Sequence, residues 1–292
     1  MRVVRRALAE QLDKAIAGLE RRNHSDRAVH EVRREIKRAR ATLRLLRQGI
    51  GVDAYNRENA LMRDAARPLT RVRDAKILLE TLRRLGPGTG AKDNRFVQHL
   101  HRVLRQELRD VQRQLRPQEL AAAAVALRAV KRWLEAVPEP RLNQAALTAG
   151  LERTYKSGRK AFARVRHRPT DECLHEWRKQ AKYFANQLEI VLPLNPKRLA
   201  KSYKRSHRLA EHLGDDHDLA LLNGKIFQYA KGPNAASQNE AVEELISRLV
   251  RQRRALQRKA YRLGRRLYSA RPHRIQAKFE RGLRAAKSTL ER

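Results

Sequence analysis

Val29-His-Glu-Val-Arg-Arg-Glu-Ile-Lys37 returns 145 residues later as Leu174-His-Glu-Trp-Arg-Lys-Gln-Ala-Lys182. Both stretches read apolar-His-Glu-apolar-Arg-basic-x-x-Lys. The apolar positions of the first copy run Val29, Val32, Ile36, Ala39, Leu43 and Leu46, and their counterparts are Leu174, Trp177, Ala181, Phe184, Leu188 and Val191. A 3-4-3-4-3 spacing of apolar residues is the seam by which a helix packs in a bundle. Leu69 and Asp74 likewise precede Leu213 and Asp218 by 144 residues. The chain therefore reads as two copies of one helical unit, residues 1–137 and 142–292, with the boundary at Val137–Leu142.

Outward from the two seams, Pro and Gly fall in clusters that punctuate long helical patterns. The breaks predict helices near 3–22, 26–47, 53–85, 92–115, 118–136, 143–167, 171–191, 196–230, 237–269 and 273–290. Ser25 and Asp26 follow a turn and offer an N-cap. No segment alternates with period two over the length of a strand. The expected fold class is all-α: two pseudo-symmetric helical bundles arising from an internal duplication.

The chain has 292 residues, 67 Lys+Arg against 31 Asp+Glu, and a formal net charge of +36. Hydrophobic residues at 41% are too many and too regularly spaced for a disordered polyelectrolyte. The single cysteine, Cys173, permits no intramolecular disulfide framework, so a reducing, cytoplasmic setting is expected. No apolar run approaches the roughly 20 residues needed to span a bilayer, and the start Met1-Arg-Val-Val-Arg-Arg lacks the apolar stretch of a signal peptide. A charge of this size opposes compaction by self-repulsion and calls for a polyanionic partner.

At about 100° per residue, His30, Arg33, Arg34, Lys37 and Arg44 lie opposite the first seam. His175, Arg178, Lys179 and Lys182 do the same in the second copy. A merely solvated helix face mixes Glu with Lys to pair charges, and like charges at such spacing are destabilising. These stripes hold almost no acid. If the duplicated bundles pack about a two-fold axis, the stripes come together as one basic groove or pore. Other bases extend the lining: Arg63, Arg67, Arg71 and Arg73 in the first copy, and Lys201, Lys204, Arg205, His207 and Arg208 in the second. Arg2, Arg5 and Arg6 cluster on the first helix, as Lys156, Arg159 and Lys160 do on its counterpart. Of the bases, 50 are Arg and 17 are Lys. A guanidinium grips phosphate oxygens in a bidentate fork, which favours phosphoryl partners, although a GC-rich genome also enriches Arg.

The His-headed helices, together with Leu69-Thr-Arg-Val-Arg73-Asp74 and Leu213-Gly-Asp-Asp-His217-Asp218, resemble the CHAD domain family over nearly the whole chain, roughly residues 1–290. The resemblance implies two pseudo-symmetric helical bundles that bind inorganic polyphosphate through a basic lining, without catalysis and without a cofactor or metal. It carries the contact role to His30, Arg33, Arg34, Lys37, His175, Arg178, Lys179 and Lys182, with Arg44, Arg67, Arg73, Lys201, Lys204, Arg205 and Arg208 extending the site. Glu31, Glu176, Asp74 and Asp218 would orient these bases. Association with polyphosphate granules would follow. Thr70 stands where the family pattern has Gly, which puts the local helix geometry of the first copy in question. Many members carry a triphosphate-tunnel domain, for which this chain has no room.

Three other readings compete. Sequence-nonspecific RNA or DNA binding is the nearest, but single-strand binders stack bases on aromatics, and these stripes contain none. A metal enzyme would use His207, His212, Asp215, Asp216, His217 and Asp218, yet a spacing of five scatters the three histidines around a helix, and no His-Glu-x-x-His element is present. A membrane-surface role needs large apolars beside the bases, and here the apolar seams read as core. No membrane partner is expected.

Overall fold

The computed structural model describes residues 2–21, 25–86, 91–138, 143–230, 239–277 and 279–281. The described residues include the α-helices α1 Arg2–Leu19, α2 Asp26–Ile50, α3 Val52–Ala65, α4 Thr70–Leu85, α5 Ala91–Arg113, α6 Pro117–Ala136, α7 Gln144–His167, α8 Asp171–Val191, α9 Pro196–Ala230 and α10 Asn239–Leu267. Residues 272–277 and 279–281 are also helical, and among the described residues there is no strand. The fold is all-α. Most of the expected breaks between 85 and 92 and between 230 and 237, the start of the expected helix 237–269, most of the repeat boundary (139–142) and residues 282–290 of the last expected helix lie outside the described residues.

All twelve seam positions are buried. The seam of α2 faces α1 and α7, and that of α8 faces α7 and the helices after it. The two seams build different interiors. Around α2 the core is aliphatic, from Leu8, Leu12, Leu43, Leu127 and Val130. Around α8 it is aromatic, with the Phe162 ring centroid 4.9 Å from Trp177 and 5.8 Å from Tyr268.

The repeat extends to the helix caps. Ser25 accepts a hydrogen bond from the Ala28 N–H at the start of α2, and Thr170 accepts one from the Cys173 N–H at the start of α8. Each hydroxyl satisfies one of the orphan donors of a helix N-terminus. These caps sit five residues before His30 and His175, so neither histidine caps its own helix.

One expected helix is corrected. Residues 53–85 form two helices, α3 and α4, parted by a turn at 66–69. Pro68 is the cause: it has no N–H to donate and its ring clashes with a preceding carbonyl. The chain turns through the Arg67 N–H to the Asp64 carbonyl and the Thr70 N–H to the Arg67 carbonyl, both 3.0 Å. In the second copy α9 runs unbroken over 35 residues. The two copies therefore differ at this point.

Helix α2 packs on both α7 and α8, α4 packs on α9, and α5 packs on α10. Gln187 of α8 donates to the Ala41 carbonyl at 3.1 Å, and Arg38 of α2 pairs with Glu189. Gly150 lets α7 cross α2 closely, since a Cβ there would run into the carbonyl group of Leu45.

Candidate functional site

Four helices form a closed circuit of contacts: α2 packs on α4 and α8, and α9 packs on α4 and α8. This circuit brings together charged residues from both copies. Lys37 of α2 lies within electrostatic reach of Arg33 on its own helix, Arg73 of α4, and Arg178 and Lys182 of α8. Lys182 senses Arg178, Arg73 and the carboxylate of Asp218. The stripes meet, but they do not simply face water. Arg33 is buried, and Arg73 is only 13% exposed.

Two carboxylates stand among these five cations. Asp74 accepts from Arg73 at 2.8 Å. Asp218 lies 3.8 Å from Arg73 and 3.9 Å from Arg84. Both acids thus hold Arg73, one from each copy. The imbalance shows in the lysines: burial first, then the surrounding cations, lower Lys37 to about 6 and Lys182 to about 8. Removing charge from water disfavours the protonated amine, and like charges add to this.

The motif histidines stand at the rim. His30 is exposed, and its pKa is lowered by partial burial and then by Arg34, Lys76 and Arg73. His175 stacks beside His217 with ring centroids 4.9 Å apart, and its pKa is lowered by burial and then by His217 and Arg178. His175 also opens onto a cavity of about 390 Å³ that includes Asp171, Glu172, Glu176 and Asp216. Its surroundings are therefore of mixed sign, unlike those of Lys37.

The remaining predicted residues divide. Arg34 is turned out and donates to Glu35 at 3.1 Å. Lys179 pairs with Glu176, which also accepts from Gln180 at 2.6 Å. These bonds hold the Glu176 carboxyl below its ordinary range against the opposing effect of burial. Glu31 pairs with Arg27 at 3.1 Å. Arg44 reaches across to α8, its guanidinium 4.5 Å above the Tyr183 ring. Arg67 projects from the α3–α4 turn, 79% exposed, near Asp64. Lys201, Lys204, Arg205 and Arg208 lie 10 to 17 residues before Asp218 on α9, about 15–25 Å along the axis. At that separation they stand apart from the cluster.

The structure also separates the two copies at Thr70. Arg33 donates to the Ala66 carbonyl at 2.8 Å and to the Thr70 hydroxyl at 2.7 Å. The residue that matches Thr70 in the second copy is Gly214, which carries no side chain, and a Cβ there would find nothing within 4 Å. The second copy thus has no hydroxyl at that place. Thr70→Ala should loosen Arg33, leaving it the Ala66 carbonyl alone: polyanion affinity rises a few-fold, while the lost bond costs about 1 kcal/mol of stability. A titration and a thermal melt of the variant check both, and unchanged affinity would mean that Thr70 does not restrain Arg33.

Three contributors escaped the sequence reading. Lys76 lies near His30. Arg84 bonds Asp215 at 3.0 Å and so ties α4 to α9. Tyr183 supports Arg44. Lys76 was legible in principle, because it follows Arg73 by three on one helix face. Arg84 and Tyr183 act across copies, which no periodicity shows. The acids and histidines of α9 also disperse: Asp216 binds Arg253 at 3.0 Å, Asp215 binds Arg84, and His207 lies 3.4 Å from Glu211. Among the described residues no group of three or more His, Cys, Asp or Glu is arranged to hold a metal ion.

An all-α scaffold that gathers bases from two copies of one motif defines a class of helical charge-bearing module. The chain belongs to the CHAD domain family, whose profile matches residues 6–226. Two solved structures share the fold. One is the CHAD domain from the plant Ricinus communis, with a TM-score of 0.62 and 21% identity over 92% of this chain and 90% of that one. The other is PptA from Streptomyces chartreusis, with a TM-score of 0.63 and 18% identity over 90% of this chain and 97% of that one. No curated protein matches the chain. Among the described residues no helix is long and apolar enough to cross a membrane.

Proposed function

We propose that this protein binds inorganic polyphosphate at the α2–α4–α8–α9 cluster, as a binding module and not an enzyme. One observation carries the reading: Arg33, Lys37, Arg73, Arg178 and Lys182 converge from both copies, with Asp74 and Asp218 the carboxylates that offset them among the described residues. So much uncompensated charge costs stability in the free protein. A chain of phosphates, with about one negative charge each and no bases to read, relieves it through charge-assisted hydrogen bonds. His30 and the α9 bases would guide the polymer toward the centre. Family membership supports the same reading. In the cell such a module would sit at polyphosphate stores, in the cytoplasm.

Labelled long-chain polyphosphate, titrated against the protein, tests the proposal when tRNA competes at equal phosphate concentration. The polymer should stay bound. Its displacement by tRNA would overturn the reading in favour of nucleic acid. Binding should weaken steeply with salt, as counter-ion release requires for nucleic acids.

The lysines add a pH dependence. Free Lys37 and Lys182 lose their protons near pH 6 and pH 8, and phosphate contact raises both values. Between its free and bound values each lysine takes up a proton on binding, so affinity rises as pH falls from about 9 to about 6 and then levels off. Calorimetry in two buffers of different ionisation enthalpy should register this uptake at pH 7.5. Equal heats in both buffers would exclude it.

A further inference from the structure

On the far side of α8 lies a second concentration of positive charge. The face of α7 and the end of α10 enclose a cavity of about 480 Å³, lined by Lys156, Arg159, Lys160 and Arg166 of α7 and Arg265 of α10. Phe162, Ala163, Tyr268 and Pro272 make its apolar wall. Among the described residues no carboxylate lines it. Lys156 has a partner, Glu152 at 2.8 Å. Arg159, Lys160, Arg166 and Arg265 have no ion-pair partner among the described residues.

This cavity is distinct from the central cluster. Phe162 stacks against Trp177, whose side chain fills the buried face of α8. Lys182 projects about 140° further round the same helix. The aromatic layer of the second bundle thus stands between the two sets of bases. The four α7 cations occupy an arc of about 120°, and Arg265 converges on them from another helix. Like charges at such spacing are destabilising, and Glu152 offsets only Lys156 among them.

We propose that this cavity is a second anion site, taking a compact oligophosphate group of about two to four phosphates. Its volume suits a small molecule rather than a polymer lying across it. The cations grip the phosphoryl oxygens, and the wall of Phe162, Ala163 and Pro272 limits water around them. The group has two chemical sources, a free inorganic oligophosphate or the phosphate tail of a nucleotide, whose base would lie on that wall.

Equilibrium dialysis of the full chain against tripolyphosphate, and separately against ATP, tests the site. The parent chain should show two classes of tripolyphosphate site. R159Q/K160Q/R166Q removes exposed side chains, and a thermal melt verifies its fold. It should lose one class, with affinity there falling at least about tenfold, and keep the other. R178Q/K182Q should lose the complementary class. Acetylation of Lys156 and Lys160, followed by mass spectrometry, should be suppressed by tripolyphosphate even in R178Q/K182Q. ATP binding at least as tight as tripolyphosphate at this site indicates the nucleotide source, and weaker binding indicates the inorganic one. The proposal is overturned if the triple variant keeps both classes at parent affinity, or if the two lysines stay unprotected. Those results leave long-chain binding at the central cluster untouched, so the two readings fail separately.

Discussion

Lys37→Met should melt higher than the parent protein and bind polyphosphate more weakly. Methionine keeps the length and apolar stem of the side chain and removes a charge that four cations oppose. The folded value of about 6 lies far below the ordinary value of 10.5. Between them the unfolded chain binds more protons than the folded one, so the parent's stability rises with pH across that window. The variant lacks this slope. Its advantage should be greatest below pH 6 and should close as pH approaches 10. A gain of at least about 3 °C at pH 6 corresponds to roughly 1 kcal/mol for a chain of this size. Affinity at the same pH should drop about tenfold, the worth of one charge-assisted phosphate contact. Melts from pH 5 to 10, paired with titrations at pH 6, give both curves. A gap that does not vary with pH, or a variant that melts lower, would show that Lys37 is not strained by its neighbours. The opposite signs matter, because a structural lysine would lower stability when removed, whereas a binding lysine held against electrostatic cost raises it.

Among the described glycines, Gly150→Ala should be the most damaging substitution. Alanine is the better helix former by about 1 kcal/mol, so an unobstructed site would be stabilised. At Gly150 the new Cβ meets the Leu45 backbone, 2.9 Å from its carbonyl carbon and 3.0 Å from its Cα. A backbone cannot rotate away as a side chain can, and overpacking of a close contact costs about 1–3 kcal/mol. The melting temperature should fall by about 5 °C or more. Gly224→Ala is the control: a Cβ there meets nothing within 4 Å, and the variant should be unchanged or slightly more stable. If the two variants melt alike, the α2–α7 crossing is not as close as described. Since α2 carries Arg33 and Lys37, loosening this crossing should also weaken polyphosphate binding.

Much of this architecture was legible in the chain itself. Apolar residues at spacings of three and four place Val29 to Leu46 and Leu174 to Val191 in the interior, and every one of them is there. The helices follow because periodicity and Pro–Gly punctuation are local. Local signals were also misread: Pro68 breaks the expected helix 53–85, and the Thr70 at its far side takes a bond from Arg33. The site was legible in part. The stripes named His30, Arg33, Lys37, His175, Arg178 and Lys182, but a helical wheel gives direction around one axis and nothing about the neighbour. It treated Arg33 and Arg34 alike. One is buried against the α3–α4 turn, and the other is turned out beside Glu35.

The sequence by itself determined that the chain is helical, carries one motif twice and is strongly basic, because composition, motif and periodicity are properties of residue order. Only the tertiary structure decided which charges act together. The approach of Lys37 to Lys182, the sharing of Arg73 between Asp74 and Asp218, and the separation of the α7 bases behind Trp177 depend on distances between residues far apart in the chain. Electrostatic energy and desolvation follow those distances and the burial around them.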